Sequence, residues 1–357
     1  MPSTAPPPSH AGFRPFRLEG LTPLNHEVLR LVLRQTDGPL LTYQEGQFVT
    51  ARLPDGTARS YSPADACAAD GRLELHIRIL PGGRFSTWLR SDAARCGAAV
   101  DIGGPYGDCM WTPPATAGAP LLLLATGTGI APIRAMLARH LAGAGRHPVH
   151  LYWGGLAQAD LYLSDEFAAL ARRHAHFRFS PVLAAATEPW TGRRGYVQAA
   201  AADDLPALDG ARVIACGSPA MVDAARTLLV AACGLAPEAF HADAFVAQAA
   251  LPMPCGDASL NLEVALPQAP ARRLTASPGS TVLNALAAAG LLQGVCGGQA
   301  ACGTCRIGID PAWRAALPPA GRKEARLLAA LESGPHQRLA CQICLEAPLD
   351  GLRIELP

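Results

Sequence analysis

The constraint that bears hardest on this chain is a change of period near residue 118. Before it, short alternating segments such as FVTARLP and RLELHIRIL, separated by turn residues, read as antiparallel strands. After it the pattern becomes strand then helix: APLLLLATG before APIRAMLARHLAG, VHLYWGG before LYLSDEFAALARR, ARVIACG before PAMVDAARTLLVAAC. A small antiparallel β-barrel followed by a parallel α/β domain satisfies both halves. A third pattern follows a proline-containing, period-free stretch at 246–257, which reads as a linker: SLNLEVAL is strand-like, and GSTVLNALAAAGLL is helical with Ser280 or Thr281 as its cap. The expected partition is a disordered tail at 1–10, a barrel at 11–113, an α/β domain at 114–245, the linker at 246–257 and a final domain at 258–357. A chain of 357 residues is long enough for each domain to bury its own core.

Charge narrows the partners. Thirty Lys and Arg against twenty-nine Asp and Glu give a net charge of +1, which points away from nucleic acid as the main partner. The start, MPSTAPPPSHAGF, lacks the basic and apolar regions of a signal peptide, so a cytoplasmic location is expected. The most apolar run, APLLLLATGTGIAPI, is interrupted by glycines before the roughly 20 residues a membrane helix needs, so no span is expected. In such a setting eleven cysteines are thiols or ligands rather than disulfides.

Three short stretches carry ligand chemistry. In RSYS a strand places Arg59 and Tyr61 on one face and Ser60 and Ser62 on the other; a guanidinium suits phosphate and a ring suits a flat heterocycle. In GGRFSTWL, the glycines Gly82 and Gly83 and the hydroxyls of Ser86 and Thr87 accompany the start of a short helix, whose free N–H groups suit an anion. In LLLLATGTGIAP, Gly127, Thr128 and Gly129 stand at the carboxyl end of a strand, where open α/β sheets bind ligands, and Cys216 and Gly217 of ACGSPAM end another strand of that sheet.

The cysteines of CGGQAACGTC pose a choice. Cys302-x2-Cys305 and Cys341-x2-Cys344 form a structural-zinc pattern, but that leaves Cys296 idle. The loop from Cys296 to Cys302 is also small-sided, which lets backbone N–H groups face bridging sulfides.

In their order RSYS, GGRFS, GPYG (Gly104 to Gly107), GTGIAP and CGSPAM resemble the ferredoxin-NADP reductase family over roughly residues 11–245. The resemblance implies that Arg59 meets flavin phosphates, Tyr61 packs on the flavin and Ser62 reaches its N5 edge. It also implies that Gly83 and Ser86 hold the pyrophosphate, that Gly127, Thr128 and Cys216 line the nicotinamide site, and that Phe245 of HADAF covers the flavin. GGRFS is more similar to the FAD branch than to the FMN branch, so FAD is expected. The spacing C-x5-C-x2-C, closed by a cysteine in RLACQICL, resembles adrenodoxin-type ferredoxins over about residues 258–357, one residue longer than the plant type. That implies an α+β, β-grasp ferredoxin domain whose [2Fe-2S] cluster is held by Cys296, Cys302, Cys305 and Cys341, with Cys344 spare.

The function implied is an electron-transfer reductase: NADH to FAD, FAD to the cluster, cluster to a separate acceptor protein, an oxygenase component or a haem protein. NADH is preferred to NADPH because SPVLAAATEPW lacks the Ser-Arg pair of NADPH-using relatives, although Arg193 and Arg194 stand nearby. The competing class is a redox-sensing or assembly protein with structural flavin and zinc sites. One charge feature is local: Arg306, Arg314, Arg322, Lys323, Arg326 and Arg338 outnumber Asp310, Glu324 and Glu332, either as a solvated helix or as a face for an acidic acceptor.

Overall fold

The computed structural model describes residues 12–143, 147–186, 190–245, 259–267, 269–292, 294, 298, 300 and 303–356. The chain divides into two compact units, one of which is Ala11–Val246 while the other contains Ala247–Pro357. The expected tail and linker lie outside the described residues.

The first unit opens with six antiparallel strands: β1 (Arg14–Pro23), β2 (Val28–Gln35), β3 (Phe48–Arg52), β4 (Ala58–Tyr61), β5 (Arg72–Arg78) and β6 (Ala99–Tyr106), with a short helix α1 (Arg84–Leu89) between the last two. Their order is β4-β3-β6-β1-β2-β5. The edges close on each other just past β4, through a bridge between Pro63 and Leu75 and a bond from Ala64 N–H to the Glu74 carbonyl at 2.8 Å. Closure removes both exposed edges of the sheet. On β5, Leu73, Leu75 and Ile77 fill the barrel core, as its alternation demands. The polar set on its other face is also buried: Glu74 is 3% exposed and His76 4%. That face is covered by the next domain of the same unit.

There follow β7 (Leu121–Thr126), α2 (Ile130–His140), β8 (Val149–Gly155), α3 (Ser164–Arg173), β9 (Phe177–Leu183), β10 (Arg193–Arg194), α4 (Val197–Asp204), β11 (Arg212–Gly217), α5 (Pro219–Ala232) and β12 (Phe240–Ala244). All are parallel, in the order β10-β9-β8-β7-β11-β12. The central strands β8, β7 and β11 contribute to a core on each face of the sheet. One core holds Ile133 and Met136 of α2 with Phe167 of α3, and the other holds Val197 of α4 with Val222 and Leu229 of α5. The chain runs outward from β7 through β8 and β9, then returns to its opposite side with β11. The crevice above β7 and β11 is therefore the switch point, where such sheets bind ligands.

The second unit comprises β13 (Leu260–Leu266), β14 (Ala269–Ala276), α6 (Val282–Ala288), β15 (Arg306–Ile309), α7 (Arg322–Ala330), β16 (Gln337–Leu339) and β17 (Leu352–Glu355). The sheet order is β14-β13-β17-β15-β16, with β13 and β17 parallel and the other pairs antiparallel. Thr281 caps α6, its Oγ1 accepting from Asn284 N–H at 3.2 Å; Ser280 instead donates to the Ser277 carbonyl. Val282 and Leu286 of α6 join Leu262, Ile307 and Leu352 in one core that also takes in Cys305 and Cys341. Among the described residues no helix is long and apolar enough to cross a membrane.

Candidate functional site

β4 and α1 form one wall. Tyr61 packs edge-on against Phe85 of α1 at 5.3 Å between ring centroids, and burial pushes its phenol up from its ordinary pKa, so it stays neutral. Arg59, two residues earlier, donates Nη1 to the Ala58 carbonyl at 2.7 Å, using one of a guanidinium's five donors. Ser60 faces Thr50 across the pair at 3.4 Å between hydroxyls, and Ser62 is buried at the strand end.

Gly82 adopts φ +71° with open space where a Cβ would stand, and Gly83 is the N-cap of α1. The first-turn N–H groups of a helix have no intrahelical acceptor. Ser86 and Thr87 lie inside α1 and shape the turn. Ser86 Oγ accepts from Leu80 N–H at 3.0 Å, and Thr87 Oγ1 donates to the Gly83 carbonyl at 3.0 Å. An arginine with spare donors, an open glycine turn and a ring wall are each of a kind that suits a phosphate-bearing flavin.

At the switch point the two glycine loops touch. A Cβ on Gly129 would overlap the backbone of Cys216 and Gly217, and one on Gly217 would overlap Thr126. Thr126 Oγ1 accepts from Ser218 N–H at 3.0 Å, and the Gly217 carbonyl accepts from Phe245 N–H at 2.7 Å. Gly129, Gly217 and Phe245 are thus brought to one place. Gly127 (φ +54°), by contrast, has nothing within 4 Å of its Cβ position, which leaves an open approach beside it and Thr128. An open backbone approach of this kind suits a phosphate-bearing ligand.

Cys216 is 1% exposed within the core beneath the crevice. Its bond with Cys109, together with burial, raises the thiol well above its ordinary range. Burial and the Cys109 contact thus favour the neutral thiol of Cys216 over a thiolate.

A buried charge cluster escaped the sequence reading. Glu74 receives Arg30 at 2.6 Å and Arg72 at 3.2 Å, both from the barrel, and Arg134 of α2 at 3.5 Å. His76 bridges Glu74 Oε1 and the Tyr162 hydroxyl, each at 3.2 Å, so the network stitches β5 to the α/β domain. Burial pushes the Glu74 carboxyl up, but the bonds from His76 and Arg30 and the Arg134 charge outweigh it and bring it to about 2. The signal in the sequence was LELHIR, whose alternation puts Glu74 and His76 together on the face opposite the barrel core.

In the second unit, Cys305 and Cys341 are 1% and 7% exposed, and the Cys305 carbonyl accepts from Ala340 N–H at 2.9 Å. Gln342 Nε2 donates to Cys341 Sγ at 3.2 Å and to the Gly298 carbonyl at 2.6 Å, tying the cysteine strand to the loop. Cys344 is exposed. Cys296 and Cys302 lie outside the described residues. A buried thiol with an amide donor beside it fits a thiolate-ligated cluster, whose sulfurs are tuned by such bonds.

A closed antiparallel barrel joined to a parallel sheet with a glycine crevice defines a nucleotide-dependent flavin oxidoreductase. Residues 15–111 match the oxidoreductase FAD-binding domain, and residues 123–227 match the oxidoreductase NAD-binding domain. The chain belongs to the ferredoxin-NADP reductase family. It is 34% identical over 220 residues to the ferredoxin–NAD(P)(+) reductase component of the naphthalene 1,2-dioxygenase/salicylate 5-hydroxylase systems of Ralstonia sp., covering 62% of this chain and 65% of that relative. It is similar to the crystal structure of the cytochrome P450 reductase GcoB from Amycolatopsis, at 33% identity and TM-score 0.58, covering 66% of this chain and 71% of that one. A fold likeness extends over 96% of this chain, and 41% of the other, in an intact type IV self-sufficient cytochrome P450 monooxygenase, at 18% identity and TM-score 0.65.

Proposed function

We propose that the protein is the reductase component of an oxygenase system, passing electrons from NADH through FAD and a [2Fe-2S] cluster to a separate oxygenase or haem protein. The observation that carries this reading is the presence in one chain of three stations in order. They are an arginine and a glycine turn on a barrel, a glycine crevice at a sheet switch point, and the C-x5-C-x2-C…C cysteines, of which Cys305 and Cys341 are buried in one core. When bound, the flavin accepts two electrons as hydride and releases them singly, which a one-electron cluster requires.

The chain's own groups do the rest. Arg59 and the N–H groups at Gly83 hold phosphate; Tyr61 and Phe245 wall the ring; Ser62 offers a hydroxyl at the ring's edge. Gly127 and Thr128 admit the nicotinamide beside the Cys216 wall. Cys296, Cys302, Cys305 and Cys341 hold the cluster, and Gln342 donates to the Cys341 sulfur. The second unit is then a β-grasp ferredoxin domain. Likeness to the reductases of a dioxygenase system and of a cytochrome P450 supports an oxygenase acceptor.

The test is anaerobic NADH titration of the purified protein, with iron, sulfide and zinc assayed. Bleaching of both flavin and cluster bands is expected. A flavoprotein carrying zinc and no iron would overturn the cluster step. Cys302→Ser should lose the cluster yet retain FAD and NADH-driven ferricyanide reduction, because serine is a far poorer iron ligand than thiolate.

A further inference from the structure

The buried network around Glu74 reaches further than the junction it stitches. Glu74 is ionised at neutral pH and can only accept, so the neutral His76 gives it Nε2–H. The other ring nitrogen, Nδ1, then accepts from the Tyr162 hydroxyl at 3.2 Å. Tyr162 stands edge-on to Trp153, with ring centroids 5.2 Å apart and planes at 90°. Trp153, fully buried on β8, donates Nε1–H to the Gly127 carbonyl at 3.1 Å. The line of contacts thus ends at the glycine beside the open crevice.

A second leg leaves the same residue for the barrel wall. Arg134, 3.5 Å from the Glu74 carboxylate, donates Nη1 to the Ala64 carbonyl at 2.8 Å, and Ala64 N–H bonds the Glu74 carbonyl at 2.8 Å. Ala64 is two residues beyond Ser62. The strand that carries Glu74 and His76, β5, runs beside the Gly127–Gly129 turn. Trp153 also fixes a direction. In a trans peptide the C=O of one residue and the N–H of the next point opposite ways, so the Thr128 N–H is aimed away from the indole.

We propose that Tyr162 and Trp153 are positioning residues for hydride transfer, holding the Gly127–Thr128 peptide, through His76 and Glu74, at a set distance from the Ser62 end of the barrel wall. This deepens the proposed function and rests on it. Neither side chain has to touch flavin or nicotinamide. A misplacement of about 1 Å passed on from a distant residue can cost about a hundredfold in rate.

The test is anaerobic stopped-flow reduction of the FAD-loaded full chain by NADH. Trp153→Phe keeps an aromatic ring and removes the donor to Gly127; Tyr162→Phe keeps its ring and removes the hydroxyl. Each should lower the limiting rate of flavin reduction about tenfold, while FAD content and the half-saturating NADH concentration stay within about twofold of the parent. The charge-transfer absorbance of the reduced protein with NAD+ bound should weaken, since it reports ring-to-ring placement rather than turnover. The double variant should be within about twofold of the slower single one, because a line broken at one link is already broken. Losses that multiply to about a hundredfold would mark two separate structural defects and overturn the proposal. So would single variants with the parent's rate and absorbance, or a slowed rate that comes with lost FAD or weakened NADH binding. Failure of NADH to reduce the FAD of the parent protein would instead defeat the underlying reading.

Discussion

Gly129 and Cys216 meet backbone to backbone: no Cβ fits on Gly129 against the Cys216 carbonyl. The glycine is there for the approach of two chain segments as much as for a ligand. Gly129→Ala should therefore push the two loops apart, destabilising the unit by about 1–3 kcal/mol. FAD binding, which depends on the barrel, should persist while the rate of flavin reduction by NADH drops about tenfold or more through misplacement. Stopped-flow reduction with measured FAD content checks this; an unchanged rate would show that the contact does not set the crevice.

The Glu74 network predicts an acid limb of stability. Glu74 stands at about 2 against an ordinary 4.5, so its contribution is present above pH 4.5 and lost as pH falls toward 2. The shift corresponds to on the order of 3 kcal/mol. Burial lowers His76 as well, so its neutral form adds stability above about pH 6.5 that is lost on acidification. Glu74→Gln should lower the urea midpoint of the flavin unit at pH 7 and flatten its dependence between pH 4.5 and 2. Parallel midpoint-against-pH curves for the two proteins would refute the assignment.

Cofactor choice follows from where two arginines are spent. Arg193 is ion-paired with Asp204, and Arg194 gives Nη1 to the Ala186 carbonyl and Nη2 to the Trp190 carbonyl, at 2.8 and 2.9 Å. Cations already committed to the fold are poor partners for a 2′-phosphate. The kcat/KM with ferricyanide should be higher for NADH than for NADPH, and Asp204→Asn, which releases Arg193, should narrow the gap. A parent enzyme that favours NADPH would be the contrary result.

Arg59→Ala should weaken FAD binding by roughly 1.5–3 kcal/mol, the worth of a charged hydrogen bond, or about ten- to a hundredfold in Kd. Arg59→Lys should recover part of it, keeping charge but not the fork. Fluorescence titration of the deflavinated protein gives both values.

Strands and helices with a single strong period were legible: β7, β8, β11, α2 and α5 fall within segments marked by the alternation of strand and helix. The parallel strand β9, with its mixed FRFSPVL, and helix α4, rich in alanine and short, carry no clean period and emerge only from packing. Burial of Glu74 and His76 was hidden for a different reason. Alternation tells which side of a strand is polar, not whether a second domain covers that side. Likewise the run of basic residues from Arg306 to Arg338 looked uniform, and only the inward pairing of Arg338 with Glu324 separates structural cations from outward ones.

The order of strands in the second unit sets the order in which it can be made. β17, the last strand, lies between β13 and β15, so the hairpin of β13 and β14 and the pair β15–β16 share no ladder until it arrives. During synthesis the barrel and the parallel sheet can close while this unit is still two separate pieces, each with an open edge. Cys305 and Cys341, carried at the β15–β16 end, acquire their complete core only after residues 352–355 have left the ribosome. The core around Cys305 and Cys341 is thereby completed later than the nucleotide-binding half.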